Sequence, residues 1–359
     1  MFSACDDEKK PHEDGHNLGP ASPSEIASTL GIDAAALGGP LVDPEKPAGD
    51  LAVDLASFTT VEACMKQRTA TLDPLVGDAV DAIGYDTFLR DACRVLEAAK
   101  TKDPKRCELI DASSLRARCR AVTAMVAGDA DGCPLKAPSK PELGRDAICV
   151  AAALRSPAMC AGAQMRDRPA CEALVTHDAK KCDAIPLDDL RAPCTRDARR
   201  FHAVLDGAAA IASVPAAKGT LTIHGDGRPD PAKTSDDLAS DVGSGVVVVL
   251  DGKKTRVSFG HPSDAFSATP HVAQPLERVR FALAFAQSPD KAPEVTAASI
   301  SVPGAIQSAC TACAITVKVT KLEPRRGGVA ELTADGTLGG FRVHADVTTF
   351  VRDVVTITP

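Results

Sequence analysis

Hydrophobic positions along the chain follow two different periods. Between about residue 85 and residue 205 they recur every three to four positions, as at Leu115, Cys119, Val122 and Val126 and again at Cys194, Ala198, Phe201 and Leu205. That is the spacing of one buried face of a helix. From Gly219 the period becomes two. Leu221 and Ile223 alternate with Thr220, Thr222 and His224, and Ile315, Val317 and Val319 with Thr316, Lys318 and Thr320; Val279, Phe281, Leu283 and Phe285 keep the spacing, as do Phe341, Val343, Ala345 and Val347. Val246 to Leu250, Asp251-Gly252 and Thr255 to Phe259 read as a hairpin, and Asp335-Gly336 marks a second turn. Seven or eight short strands with no long helix predict an antiparallel β-sandwich over 219–359.

The helical part carries a ladder of ten cysteines from Cys64 to Cys194. From Cys93 onward one unit repeats four times: a cysteine in the opening turns of a short Ala-rich helix, a polar stop, then a second cysteine. The stops begin at Asp103, Asp129, Ser156 and Asp178. Asp86 reads as the cap of the helix holding Phe88, Cys93 and Leu96, and Ser139 with Glu142 as a capping box opening the third helix. Leu51 to about Thr71 is a first helical region carrying Cys64, interrupted by Asp73-Pro74. A helix rises about 1.5 Å per residue, so cysteines at its two ends lie roughly 16–21 Å apart. A disulfide spans a Cα separation of no more than about 7 Å. Pairing each connector with the next helix gives Cys107–Cys119, Cys133–Cys149, Cys160–Cys171 and Cys182–Cys194, which leaves Cys64 for Cys93. Zinc sites would need C-x2-C clusters, and the ladder's wider spacing does not supply them.

Composition explains the staples. Aromatic residues are 3% of the 359 residues, with one Tyr and no Trp. Small side chains bury little area at about 25 cal/mol per Å², whereas closing loops of this size is worth on the order of 3 kcal/mol per disulfide in the chain-entropy treatment. Thirteen cysteines point to an oxidising compartment. The net charge of −7 argues against nucleic acid, which wants a basic face, and no apolar run approaches the length of a membrane-spanning helix.

The first residues, Met1-Phe2-Ser3-Ala4-Cys5, resemble the end of a bacterial lipoprotein signal: an apolar residue, two small residues, then cysteine. Phe2 stands where Leu is usual, and the apolar stretch of such a signal does not precede it here, so the start would be trimmed or misassigned. The resemblance implies lipidation at Cys5 and attachment to a membrane; the other reading is a chance cysteine. Cys5 is also the odd thiol once Cys310 pairs with Cys313. Residues 6–50 are charged, then rich in Pro and Gly, and read as a disordered tether reaching roughly 35–40 Å. His12 and His16 within it read as solvated rather than metal-binding.

Three features could carry chemistry. Cys310-Thr311-Ala312-Cys313 precedes a strand rather than a helix, which favours a local disulfide over a redox pair. Asp226, Asp230, Asp236, Asp237 and Asp241 on one loop could offer oxygen ligands to Ca²⁺, although the EF-hand spacing is absent. His177 and His202 have no second ligand nearby in sequence. There is no G-x-S-x-G, no H-E-x-x-H and no phosphate-binding Gly loop.

The expected organisation is a lipobox-like start and tether (1–50), a disulfide-stapled helical repeat array (51–206), a linker (207–218) and a β-sandwich (219–359). The expected function is that of a non-enzymatic, exported, lipid-anchored protein of the periplasm, outer membrane or cell surface, without a cofactor, that presents surfaces to a protein or envelope partner. A small-ligand or metal-ion carrier (Ca²⁺ or a soft metal) is the first alternative, and a thiol oxidoreductase using Cys310 and Cys313 the second.

Overall fold

The computed structural model describes residues 61–65, 85–111, 113–163, 167–188, 207–225, 232–233, 244–259, 280–301, 308–310 and 314–357, with positions 190, 191, 194, 195, 198 and 205. Its α-helices are α1 (Val61–Met65), α2 (Tyr85–Thr101), α3 (Ser113–Ala127), α4 (Ala147–Ala153) and α5 (Arg168–Thr176). Short 3-10 helices fill the connectors at Pro104–Leu109, Ala130–Gly132, Pro157–Gly162 and Ala179–Ala184.

The helices α2 to α5 all end in the same way. Lys102, Gly128, Arg155 and His177 take positive φ values of 54, 73, 52 and 59°. The residue after each of them (Asp103, Asp129, Ser156, Asp178) donates its N–H to the carbonyl of Ala98, Ala124, Ala151 or Ala173, five positions back. This is a left-handed Schellman stop. Asp103, Asp129 and Asp178 then accept the N–H two residues on and open the 3-10 helix. A cysteine follows four positions after each stop, at Cys107, Cys133, Cys160 and Cys182. The four alanines are buried. Lys102 adopts this conformation against its own Cβ, so Lys102→Gly should raise stability by about 1 kcal/mol, read from chemical denaturation midpoints. An unchanged or lower midpoint would mean the turn is not under strain.

Five disulfides close the array: Cys64–Cys93, Cys107–Cys119, Cys133–Cys149, Cys160–Cys171 and Cys182–Cys194. Each of the last four joins a 3-10 connector to the helix after it. All ten cysteines are buried, and their sulfurs lie in the core among small apolar residues.

Two local expectations are corrected here. Ser139 does not cap the third helix: Pro141–Leu143 is a separate 3-10 turn without a side-chain cap, and α4 is capped by Asp146, whose carboxylate accepts the Cys149 N–H at 2.8 Å. Asp86 lies inside the first turn of α2, which starts at Tyr85.

The strands are β1 (Lys218–Gly225), β2 (Ala232–Lys233), β3 (Val246–Asp251), β4 (Lys254–Phe259), β5 (Arg280–Gln287), β6 (Glu294–Ser301), β7 (Ser308–Cys310), β8 (Ala314–Leu322), β9 (Val329–Leu338) and β10 (Phe341–Ile357). An antiparallel sandwich was expected; the strands instead form one mixed sheet that is nearly barrel-shaped. β10 is the reason. Its first half pairs antiparallel with β1 and β9, and its second half pairs parallel with β3. The order β2-β1-β10-β3-β4-β5-β6-β7 is continuous, with β9 and then β8 branching from β10, and β6 and β7 come back close to β8 and β9. Alternate residues such as Leu221, Val248, Phe281, Leu283, Leu332 and Val347 fill the interior. Asp335-Gly336 is not a turn but lies within β9; the hairpin turns at Gly339 and Gly340. Gly336 has no room for a side chain, since a Cβ there would lie 2.0 Å from the Ala314 carbonyl oxygen.

Candidate functional site

Strand β3 is buried on both faces. Val246 and Val248 point into the barrel, while Val247 and Val249 pack outward with Val355, against Leu135 of the helical array. A run of four valines is what a strand covered by two layers needs. Phe350, at the bend of β10, enters the core of the array itself.

The third repeat makes this junction. Its disulfide loop is longer than those of the other connectors, with the cysteines 16 positions apart against 11 or 12, and the added length folds into a small excursion closed by a Leu135–Arg145 bridge. The Glu142 carbonyl accepts from Ser258 Oγ of β4 at 2.7 Å. A Cβ on Gly144 would lie 2.9 Å from Val247, so only glycine allows this approach.

Arginine position separates this repeat from the others. Arg116, Arg168 and Arg191 stand three residues before the second cysteine of their pair and donate to the carbonyls of Ile110, Ala163 and Ile185, three residues after the first. In the third repeat Asp146 takes that place and the arginine is one position earlier. Arg145 turns instead to the sheet. Its backbone N–H donates to Asp353 Oδ2 at 2.8 Å, and its guanidinium reaches Asp353 at 3.4 Å and the Val354 carbonyl at 3.0 Å.

Asp353 is almost wholly buried, at 2% exposure. Besides Arg145 it accepts from Arg326 Nε at 3.0 Å, and Arg326 Nη2 continues to Asp131 at 2.7 Å. Arg326 sits on the β8–β9 turn, which is held against β10 by paired 2.7 Å bonds between Gly327 and Gly328 and the Val351 backbone. Arg352, next to Asp353, faces the array and donates to the carbonyls of Gly162 at 3.3 Å and Leu143 at 3.2 Å. A cavity of about 10 Å³ lies between these groups, lined by Arg145, Ala147, Val150, Met159, Gly162, Arg352 and Asp353.

The electrostatics follow from this packing. The hydrogen bond from Arg326, with the charges of Arg326 and Arg145 beside it, holds the Asp131 carboxyl below its ordinary value of 3.8 despite partial burial. Desolvation lowers the pKa of Arg352, an effect partly offset by Asp353. A carboxyl with a depressed folded-state pKa contributes stability that is full above its unfolded pKa and is lost as pH falls through the folded value. Removing Asp131 (Asp131→Asn) is therefore expected to lower the thermal midpoint slightly at pH 7, where its contribution is full, and to flatten the fall below about pH 4, so that the two proteins converge in acid. A fall of unchanged steepness would assign the acid sensitivity to other groups.

The polar face of the sheet is a second feature. Four strands in register set Thr222, His344, Asp335 and Thr316 in one row and Thr220, Asp346, Thr333 and Lys318 in the next. His344 Nδ1 lies 2.5 Å from Asp335 Oδ1 on this exposed surface.

The residues singled out from sequence fall as follows. Cys310 is disulfide-bonded. Cys313, Cys5, His12, His16, His202 and the loop carboxylates Asp226, Asp230, Asp236, Asp237 and Asp241 lie outside the described residues. His177 holds the left-handed stop of α5. Among the described residues no three His, Cys, Asp or Glu side chains are grouped to hold a metal, and no helix is long and apolar enough to cross a membrane. The junction residues were not singled out. Asp353 had a readable signal, an adjacent Arg352-Asp353 pair set among Val351, Val354 and Val355 in a strand pattern, where a buried charge needs a partner. No protein-family model matches the chain, and neither a curated protein nor a solved structure shows significant similarity to it.

Proposed function

We propose that this is an exported, non-enzymatic protein of the bacterial cell envelope, lipid-anchored through Cys5, that presents a rigid surface to a protein or envelope partner. The observation that carries the reading is the set of five buried disulfides along the helical array. Such a framework is maintained in oxidising compartments and reduced in the cytosol. The buried charges of the junction are engaged in joining array to barrel. The exposed polar face of β1, β10, β9 and β8 is the surface offered for contact.

The test is intact mass spectrometry of the protein from its native host, before and after reduction, with mapping of the N-terminal peptide. Ladder cysteines that alkylate only after reduction, with acyl mass on Cys5 at a new N-terminus, are the expected result. Free ladder thiols together with an unprocessed Met1 would overturn it.

A further inference from the structure

We propose that Cys310 and Cys313 form a reversible redox clasp on the seam of the barrel, opened by a protein dithiol. Cys310 is disulfide-bonded. The ladder pairs ten of the thirteen cysteines among themselves, which leaves Cys5 or Cys313 as its partner, and we assign it to Cys313. Exposure sets this bond apart. The ladder cysteines are at most 8% exposed, whereas Cys310 is only partly buried, at the margin of the barrel core. An attacking thiolate must reach a sulfur, so exposed disulfides exchange while buried ones persist. The bond also adds little to folding, because closing so short a loop constrains the unfolded chain less than the 11 to 29 positions spanned in the ladder.

The place of Cys310 in the sheet gives reduction a consequence. It is the last residue of β7, which pairs only with β6, through Ser308, Ala309 and Cys310 opposite Ile300, Ser299 and Ala298. The next strand, β8, begins at Ala314 and pairs with β9. Among the described residues no ladder joins β7 to β8, so the sheet has a seam there, and the bond links the two strand ends across it. In the exchange, the donor's thiolate attacks one sulfur and displaces the other, and the donor's second thiol then resolves the mixed disulfide. The donor leaves as a disulfide, and its two electrons and two protons stay on Cys310 and Cys313. β7 is then held by three ladder pairs alone, and its release uncovers the edge of β6 at 298–300. A strand rather than a helix follows the pair, so no helix dipole favours reactive thiolates. That suits a switch rather than a catalyst of turnover.

The experiment uses the full chain, treated with dithiothreitol without denaturant, quenched by alkylation and mapped by peptide mass. Cys310 and Cys313 should alkylate roughly tenfold faster than any ladder cysteine. Amide exchange should rise over 298–300 and 308–310, stay unchanged over 113–163, and recover on reoxidation. Cys310→Ser combined with Cys313→Ser should exchange like the reduced protein whether or not dithiothreitol is present. A Cys310–Cys5 linkage, ladder cysteines that alkylate as fast, or exchange over β6 and β7 that ignores reduction overturns the proposal. Should the double variant fail to fold, the alkylation order and amide exchange of the unaltered protein decide alone.

Discussion

Residues 208–359, produced without the helical array, will not form a cooperatively folded barrel. Val247, Val249, Val355 and Phe350 are each at most 4% exposed in the whole chain, and their cover on that face comes from the array. At about 1.5–3 kcal/mol for each large apolar side chain returned to water, roughly 6–12 kcal/mol is lost. That equals most of the stability of an ordinary domain, about 5–15 kcal/mol. Asp353 would also lose Arg145, and Ser258 the Glu142 carbonyl. The expected observation is a broad, non-cooperative thermal transition and poorly dispersed amide resonances. A sharp melt with a dispersed spectrum would show that the barrel stands alone and the array is an accessory.

Asp353→Ala is expected to be the most damaging single substitution at the junction. It leaves the guanidinium groups of Arg145 and Arg326, only 12% and 15% exposed, without their shared carboxylate. Breaking a buried pair by removing one partner costs about 3–5 kcal/mol. Asp131→Ala, whose side chain is 72% exposed, should cost no more than about 1 kcal/mol. The informative control replaces the linked group, Asp353→Leu with Arg145→Met and Arg326→Met, and should recover much of the loss because neither of those two guanidinium groups is then left without its carboxylate. If Asp353→Ala and Asp131→Ala have equal effects in denaturant titrations, Asp353 is not the centre of the network.

Local periodicity made much of this architecture readable. Helical and strand segments, the change of period near residue 219 and the four polar stops are all short-range patterns, and a helix's rise per residue keeps the cysteines at its two ends apart. What escaped is long-range. Arg145 and Asp353 are 208 positions apart, and a single sequence carries no signal of such a pair. The mixed sheet escaped because β10 changes its buried face: Val343, Ala345 and Val347 alternate regularly, and then Thr349, Phe350 and Val351 are buried in succession, so period two alone cannot show the change of partner. Two signals were present and legible. The run Val246 to Val249 reads as a strand covered on both faces, and arginine three positions before cysteine recurs at 90, 116, 168 and 191, whereas Asp146 takes that place in the unit whose arginine turns to the sheet.

The connectivity of the ladder bears on the order in which the chain can mature. Ladder cysteines pair with their immediate successors, and four of the five bonds span only 11 to 16 positions. A polypeptide threaded out amino end first therefore exposes both thiols of one bond before the next pair emerges. Oxidation in order of arrival yields the native set, with no earlier bond to be undone. The joint with the barrel follows the opposite schedule: Arg145 emerges early and waits for Asp353, 208 positions later, so the joint closes only once β10 has emerged.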